Sequence, residues 1–436
     1  MPDSYIKKLD ALFVKTGFLL CLCLLAWLLS APGAQAQPAQ VHPHIAPPDL
    51  ASAGAILIDA DTGQVLYEKQ ADQTFYPASI TKILTAIVAI ENGNLDEPVS
   101  VSEAATRVDG TRVYLVPGEQ KSLRELLYAM MLNSGNDAAV AIAEHIGGSV
   151  EAFARMMNRK AKELGATHSH FVNPSGLHDE NHYTTARDMA KIAQYAMRSP
   201  IFREIVATKT MPWNGKEWES QLVNHNKLLW QYEGATGIKN GYTSIAKQTF
   251  VATAKKGESE LIAVCLSAPS QPQMYRDLKL LMDYGFEAFE PIPVVSEKER
   301  FLERDRSREI ALRTSREIHI QRPVAHASMK EEPITRQVIL EPLRYPIHKG
   351  QQVGLLKIQW GNQPAIQVPL YAAEAVPLPE EKQNENTPSL SLFFWPGIAM
   401  AAFGILCFIL YRKYRLPRRW RDYVQGSVQA KRSSSS

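Results

Sequence analysis

Apolar residues between 51 and 290 recur at intervals of three and four, the spacing of helices that pack one face against a core. The run Ile80–Val88 has this pattern, and Pro77 precedes it at a place that suits the first turn of a helix. The region 122–146 has it too, but the turn residues Asn133-Ser134-Gly135-Asn136 interrupt it. Further helices are predicted over 153–164, from Thr184 or Thr185 to Ala196, and over 275–289.

Continuous or alternating apolar runs predict strands at both ends of the same segment. These runs occupy 53–59, 64–69, 237–243, 249–254 and 261–266. Asp61-Thr62-Gly63 joins the first two as a hairpin, and Gly241 within the third indicates either a close approach of another group to the backbone or a bulge. A hairpin, then helices, then a strand meander predicts an α/β fold in which helices cover an antiparallel sheet.

The pattern changes after Pro291-Ile292-Pro293, where helical spacing gives way to short β runs between glycine-containing turns. We therefore predict a main domain over 51–290 and a small β-rich domain over 291–376. Predicted strands in the second domain are 337–340, 353–360 and 365–370. The composition predicts a spacer over 37–50 and a stalk over 377–390.

The N-terminus has the composition of a secretory signal peptide. Three lysines precede an uncharged apolar run over 16–30, and Ala34-Gln35-Ala36 supplies the small residues of a cleavage site. We predict that residues 1–36 are removed and that the body of the protein is exported. An uncleaved membrane anchor is the alternative.

The C-terminus carries a second apolar run. No charge occurs from Leu392 to Tyr411, a length that is about sufficient to cross a bilayer. The segment 391–411 is therefore predicted to be a transmembrane helix, with the basic tail 412–436 on the cytoplasmic side by the positive-inside rule. A buried core helix is the alternative.

The overall charge of +3 is unevenly distributed. The tail holds eight Lys/Arg against one Asp, which leaves the exported body acidic, so the charge does not indicate nucleic-acid binding.

Cys265 is the one cysteine of the exported body, which excludes a disulfide within it and a cysteine-based metal site. The pairs His168/His170 and His178/His182 lack zinc-ligand spacing and are interpreted as surface residues. We expect neither metal nor cofactor.

Candidate chemistry begins with Ser79 and Lys82, which lie one helical turn apart on the same face. A hydroxyl beside a neutral amine in a dry cleft can act as a nucleophile. The Ser-x-x-Lys pattern also occurs at Ser4/Lys7 and Ser244/Lys247, so alone it is weak evidence. Ser134 and Asn136 lie on the turn that interrupts the helical pattern, and the capping of a helix is the alternative interpretation of these two residues.

Three motifs in order carry a family resemblance. Ser79-Ile80-Thr81-Lys82, Ser134-Gly135-Asn136 and Lys239-Asn240-Gly241 resemble the motifs of penicillin-binding proteins and class A β-lactamases. The loop Asn173-Pro174-Ser175-Gly176-Leu177, the helix start at Thr185 and the trailing β domain resemble the D-alanyl-D-alanine carboxypeptidases, serine peptidase family S11. The resemblance covers about residues 51–376 and implies a β-lactamase/transpeptidase-like fold.

The resemblance implies a division of roles. Ser79 would form an acyl-enzyme, Lys82 would accept its proton, and Ser134 would relay that proton to the departing D-alanine. Lys82 must then be neutral, through burial and a nearby positive charge that Lys239 could supply. No metal or cofactor takes part.

The remaining residues would bind substrate. Asn136 would hold the substrate amide, Lys239 and Asn240 the terminal carboxylate, and the backbone N–H groups of Ser79 and Tyr242 beside Gly241 would form the oxyanion hole. The implied partners are the peptidoglycan stem peptide and the β-lactams that mimic it.

Two positions depart from the family pattern: Asn240 stands where threonine is usual, and Lys247 where glycine is usual. Two other functions are compatible with the sequence, a catalytically weak penicillin-binding or wall-scaffolding protein and a β-lactamase. The trailing β domain and the C-terminal anchor argue against a β-lactamase.

Overall fold

The computed structural model describes residues 45–305, 308–326, 333–361, 363–378 and 391–414. The predicted signal peptide, most of the spacer and stalk, and the tail beyond 414 lie outside the described residues. The chain divides into two units, one up to Arg344 together with His348–Ala375, the other Tyr345–Ile347 together with the residues from Val376.

An antiparallel five-stranded sheet is the centre of the main domain. Alternate residues of its strands enter two separate apolar clusters, Ile56 and Val264 on one face, Leu57 and Cys265 on the other. This two-sided burial confirms the predicted covered antiparallel sheet. Its strands and three small ribbons are β1 (Gly54–Asp59), β2 (Val65–Lys69), β3 (Thr74–Phe75), β4 (Pro98–Ser100), β5 (Gln120–Ser122), β6 (Thr184–Thr185), β7 (Thr210–Asn214), β8 (Glu219–Val223), β9 (Ala235–Thr243), β10 (Lys247–Lys256) and β11 (Ser259–Ala268). The five-stranded sheet has the order β2-β1-β11-β10-β9.

Helices cover both faces. They are α1 (Lys82–Asn92), α2 (Glu103–Thr106), α3 (Leu123–Leu132), α4 (Asn136–Gly147), α5 (Val150–Glu163), α6 (Ala186–Ala196), α7 (Pro200–Ala207), α8 (Leu228–Gln231) and α9 (Gln271–Ala288). The first eight residues of α1 are buried, so this helix forms the interior of the larger helical layer. Helix α9 packs on the opposite face, where Met274, Leu278 and Leu281 join the second cluster.

Local signals place the helix ends. Ser122 begins α3 with a capping box completed by Glu125, and Thr185 caps α6 by accepting the Asp188 N–H. The predicted interruption between α3 and α4 is confirmed. Helix α7 and the β7–β8 hairpin were not predicted.

The β-rich region follows α9. Its strands are β12 (Phe289–Val295), β13 (Phe301–Asp305), β14 (Arg308–Arg313), β15 (Ile318–Pro323), β16 (Ile334–Leu340), β17 (Gln352–Trp360) and β18 (Ile366–Ala372). One sheet has the order β13-β14-β18-β17-β16, and β12 pairs with β15. The sequence predicted the last three strands but missed β12–β15. In β14, for example, the charged residues Glu309 and Arg313 stand beside the inward residues Ile310 and Leu312, so no apolar run is visible.

Residues of the predicted membrane segment form α10 (Ser391–Lys413). In the described part of the chain, no helix combines the length and apolarity that crossing a membrane requires.

The departure at Lys247 has a physical consequence. Lys247 is exposed and adopts φ +58°, a left-handed conformation that costs a residue with a Cβ about 1–2 kcal/mol. We expect Lys247→Gly to raise the free energy of unfolding by up to about 1 kcal/mol, since glycine relieves the strain but gains freedom when unfolded. Urea unfolding measures it. Lys255→Gly, at an exposed position of the same strand without positive φ, should destabilise; equal destabilisation by both would contradict the account.

Candidate active site

Ser79 lies in a single 3-10 turn, Ala78–Thr81, that leads directly into α1. The turn places Ser79 Oγ 3.2 Å from Lys82 Nζ. Ser79 is partly exposed, whereas Lys82 is fully buried. Ala78 has φ +51°, a strained conformation for a non-glycine residue, and such strain is typical of functional sites. Ser79 is therefore in partial contact with solvent, whereas the lysine beside it is not.

Lys82 Nζ has two further neighbours, Asn136 Oδ1 and the Ser175 carbonyl oxygen, each at 2.7 Å. Both are acceptors only, so each takes one N–H of the amine. A neutral amine has two N–H groups, and its lone pair is then left for the third neighbour, the Ser79 hydroxyl. Burial, and next the charge of Lys239, hold the pKa of Lys82 well below its usual 10.5, while Asp137 opposes them.

The turn between α3 and α4 supplies Asn136. Ser134, 7 % exposed, has φ +60°, and the N-cap of α4 is Gly135 without a side-chain hydrogen bond, so neither Ser134 nor Asn136 caps the helix. Asn136 Nδ2 donates to the Asp109 carbonyl at 2.7 Å. Because that contact needs the NH₂ group, Oδ1 is the atom that faces Lys82.

Asp137 is a buried residue that the sequence reasoning missed. Its carboxylate accepts the backbone N–H groups of Val113, Leu115 and Ala138. These bonds hold the loop before β5 against the start of α4, and burial raises the pKa of Asp137 in spite of them. An acidic residue in the first turn of a helix is the signal that could have identified it.

Strand β9 lines another side of the candidate active site. Lys239 is 1 % exposed, burial lowers its pKa to about 7, and its charge acts on Lys82. A Cβ on Gly241 would lie 2.6 Å from the backbone nitrogen of Ser79, so the close approach predicted at this glycine is made by the backbone of Ser79. Tyr242 is 62 % exposed, with its side chain turned outward.

Asn240 is half-buried and faces a different space from Lys239. It lines an open cavity of about 510 Å³ together with Val223, Asn224, His225, Lys227, Trp230, Gln231 and Gln271. Among the described residues, its side chain forms no hydrogen bond to Ser79 or Lys82. Neighbours in a strand alternate between faces, so Lys239 and Asn240 reach a common ligand only from different directions.

The loop 171–177 completes the site. Asn173 Oδ1 accepts the N–H groups of Ser175 and Gly176, which folds the loop into a tight turn. A Cβ on Gly176 would lie 1.8 Å from the Ala78 carbonyl oxygen, so only glycine fits there. This turn presents the Ser175 carbonyl to Lys82, a contribution of backbone that residue types do not reveal.

The surface assignment of the histidines was wrong for His182, which is 1 % exposed because it packs between the 3-10 turn and the loop 171–177. His168, His170 and His178 are exposed, as predicted. Across the described ranges, no group of three or more His, Cys, Asp or Glu residues is arranged to hold a metal ion.

The Ser-x-x-Lys pair Ser244/Lys247 lacks this environment. Ser244 and Lys247 are exposed beyond the end of β9, and Ser4/Lys7 lies outside the described residues. Burial of the lysine, rather than the spacing, separates Ser79/Lys82 from the exposed pair.

Two family models match the chain. The one described as D-alanyl-D-alanine carboxypeptidase matches residues 41–270, and the one described as penicillin-binding protein 5, C-terminal domain, matches residues 296–378. D-alanyl-D-alanine carboxypeptidase DacF of Bacillus subtilis is 33 % identical over 338 residues, 73 % of this chain and 84 % of that protein. DacA of Escherichia coli is 31 % identical over 350 residues, 76 % of this chain and 85 % of that protein.

Solved structures of D-alanyl-D-alanine carboxypeptidases and penicillin-binding proteins have a similar fold. The D-alanyl-D-alanine carboxypeptidase DacD from Francisella tularensis superposes with a TM-score of 0.59 at 26 % identity, covering 80 % of this chain and 98 % of that one. Penicillin-binding protein 5 from Haemophilus influenzae has a TM-score of 0.60 at 28 % identity, covering 76 % and 99 %. The transpeptidase/β-lactamase-like fold with a separate β domain is thereby confirmed.

Proposed function

This chain belongs to the D-alanyl-D-alanine carboxypeptidase family of serine peptidases, and from that membership we propose how its residues divide the reaction. It is a penicillin-binding, serine-type D-Ala-D-Ala carboxypeptidase. The substrate that we propose is the peptidoglycan stem pentapeptide, from which the enzyme removes the terminal D-alanine.

In the first step Ser79 Oγ attacks the carbonyl carbon of the penultimate D-alanine while its proton passes to the Lys82 lone pair. One observation carries this assignment: Lys82 Nζ has two acceptors and one hydroxyl as neighbours, in a buried position beside a second lysine. A neutral Lys82 is the form that such surroundings favour. General-base catalysis of this kind contributes about 10²- to 10⁴-fold.

The tetrahedral oxyanion would be held by the backbone N–H groups of Ser79 and Tyr242. Support comes from the tight approach of β9 to Ser79 at Gly241, which brings these backbones together. Loss of one such donor typically costs about 10²- to 10³-fold in rate. The C–N bond then breaks as the proton moves from Lys82 through Ser134 to the departing amine.

The ester that remains on Ser79 is hydrolysed by water, which regenerates the hydroxyl. β-Lactams follow the first step, but their leaving nitrogen stays tethered to the acyl group. Stable acylation by penicillin is therefore the expected inhibition.

Lys239 would pair with the terminal carboxylate of the substrate. With a pKa of about 7, Lys239 gains or loses its proton near neutral pH, and a bound carboxylate favours the charged form. Asn136 would hold the substrate amide when the peptide enters, and Asn240 would contact the carboxylate end from the neighbouring cavity.

Asn240→Thr tests the substrate contact proposed for the motif's unusual residue. We expect KM for a D-Ala-D-Ala peptide to change by about 2- to 10-fold, with kcat changing less, because a hydrogen bond to a charged group is gained or lost on binding. Steady-state kinetics measures both, and Asn240→Ala, which has no donor, should raise KM. Identical kinetics in all three enzymes would show that this side chain does not touch the substrate.

Release of free D-alanine from a synthetic stem pentapeptide tests the function itself. Turnover with slow loss of the penicillin adduct supports the carboxypeptidase. Penicillin binding without D-alanine release would indicate a scaffold protein, and rapid hydrolysis of penicillin would indicate a β-lactamase.

We further propose an exported catalytic body with a C-terminal membrane anchor and the domain limits given above. The support is the uncharged sequence Leu392–Tyr411 followed by a basic tail. Fractionation of the full chain tests this, since recovery without membranes would contradict it.

A further inference from the structure

His182 occupies a position between two parts of the site. Its Nε2 lies 2.9 Å from Thr81 Oγ1, and its Nδ1 accepts the backbone N–H of Val172 at 3.2 Å. The ring meets Phe171 edge-on, with centroids 5.5 Å apart. A backbone N–H can only donate, so Nδ1 must be the acceptor and Nε2 must carry the hydrogen that goes to Thr81. The contacts therefore define a neutral imidazole in one tautomer.

Each partner of this ring is joined to Lys82. Thr81 immediately precedes Lys82 at the end of the 3-10 turn. Val172 immediately precedes the turn Asn173–Leu177, whose Ser175 carbonyl accepts an N–H of Lys82 at 2.7 Å. The imidazole thus connects the backbone that carries the amine to the backbone that carries one of its two acceptors.

We propose that His182 is a positioning residue that directs the lone pair of Lys82 toward Ser79 by fixing the Ser175 carbonyl. The inference rests on the proposed function, in which neutral Lys82 is the base. If the loop shifts, the amine loses one of the two acceptors that hold its N–H groups, and the lone pair no longer points at the hydroxyl. A displacement of about 1 Å in such an arrangement can cost up to about 100-fold in rate.

Protonation of His182 would undo the connection, because Nδ1–H would then face the Val172 N–H as a second donor. Burial lowers the pKa of His182 from the usual 6.5 to about 4. The Asp179 carboxylate opposes this lowering, whereas His170, His178 and Lys82 reinforce it. The ring is therefore neutral, and the connection intact, at neutral pH.

The test compares two substitutions. His182→Leu keeps an apolar side chain against Phe171 but removes both hydrogen bonds. His182→Gln retains one acceptor and one donor and does not titrate. His168→Gln, at an exposed histidine, is the matched control. The measurements are the second-order rate of acylation by a fluorescent penicillin, and kcat and KM for D-alanine release, from about pH 4 to about pH 8.

We expect His182→Leu to lower the acylation rate and kcat by about 10- to 100-fold with KM within a few-fold of wild type. His182→Gln should recover most of that loss and should keep more of its neutral-pH rate than wild type does near pH 4. Thermal unfolding checks the fold of each variant. If His182→Leu does not fold, the comparison of His182→Gln with wild type at low pH decides.

The proposal would be overturned if a folded His182→Leu variant were acylated at the wild-type rate. It would also be overturned if the acylation rates of wild type and His182→Gln fell identically at low pH. These results differ from a failure of the proposed function, in which the wild-type protein itself would not be acylated at Ser79.

Discussion

Ser79→Ala is expected to abolish covalent labelling by a fluorescent penicillin and to reduce D-alanine release by about four to six powers of ten. Without Oγ no acyl-enzyme can form, and only the binding groups remain. The residue is partly exposed at the surface of a turn, so removal of one oxygen leaves the core unchanged. In-gel fluorescence and mass spectrometry of the adduct measure the result.

Ser244→Ala is the matched control, since Ser244 precedes Lys247 with the same spacing but on an exposed loop. This variant should label like wild type. Persistent labelling of Ser79→Ala, or an adduct mapped to another residue, would show that the nucleophile lies elsewhere.

Lys82→Met should produce the next largest effect, a fall in the acylation rate by about 10²- to 10⁴-fold. Methionine keeps the length and the apolar body of the side chain and removes the base. Lys247→Met, at the exposed lysine of the control pair, should leave acylation unchanged. A Lys82→Met enzyme that acylates at the wild-type rate would exclude Lys82 as the base.

The pH dependence has a definite sign. Lys82 must lose its proton, so the wild-type acylation rate rises as pH rises through the lowered pKa of this amine, and Lys82→Met should lack that rise. Lys239 must keep its proton to bind a carboxylate, so kcat/KM for a peptide falls as pH rises above about 7. A wild-type profile without the rising limb would contradict the assignment.

Much of the fold followed from local signals. The spacing of apolar residues and the Asn-Ser-Gly-Asn interruption predicted α1, α3 and α4, because caps and turns depend on neighbours in sequence. Gly241 indicated a close contact through residue type alone. Strands β13–β15 escaped prediction because charged residues such as Arg304 and Glu309 stand between their apolar residues, which therefore do not form an apolar run.

The site was harder to predict where long-range contacts or backbone atoms take part. The motif residues identified Ser79, Lys82 and Asn136, but the Ser175 carbonyl carries no signature of its own. His182 resembles a surface histidine in its sequence surroundings and is buried only because the loop 171–177 folds over α1. The cavity that Asn240 lines similarly depends on the neighbouring α8 and β8 segments, which supply other parts of its wall.

The central claim is that Lys82 is a neutral amine when it meets Ser79. Nuclear magnetic resonance of protein labelled with ¹³Cε-lysine measures this directly, with the Lys82 signal identified by its loss in Lys82→Met. We expect a Lys82 pKa well below the usual 10.5. A Lys82 signal that titrates near 10.5, as an exposed lysine does, would contradict the proposed base.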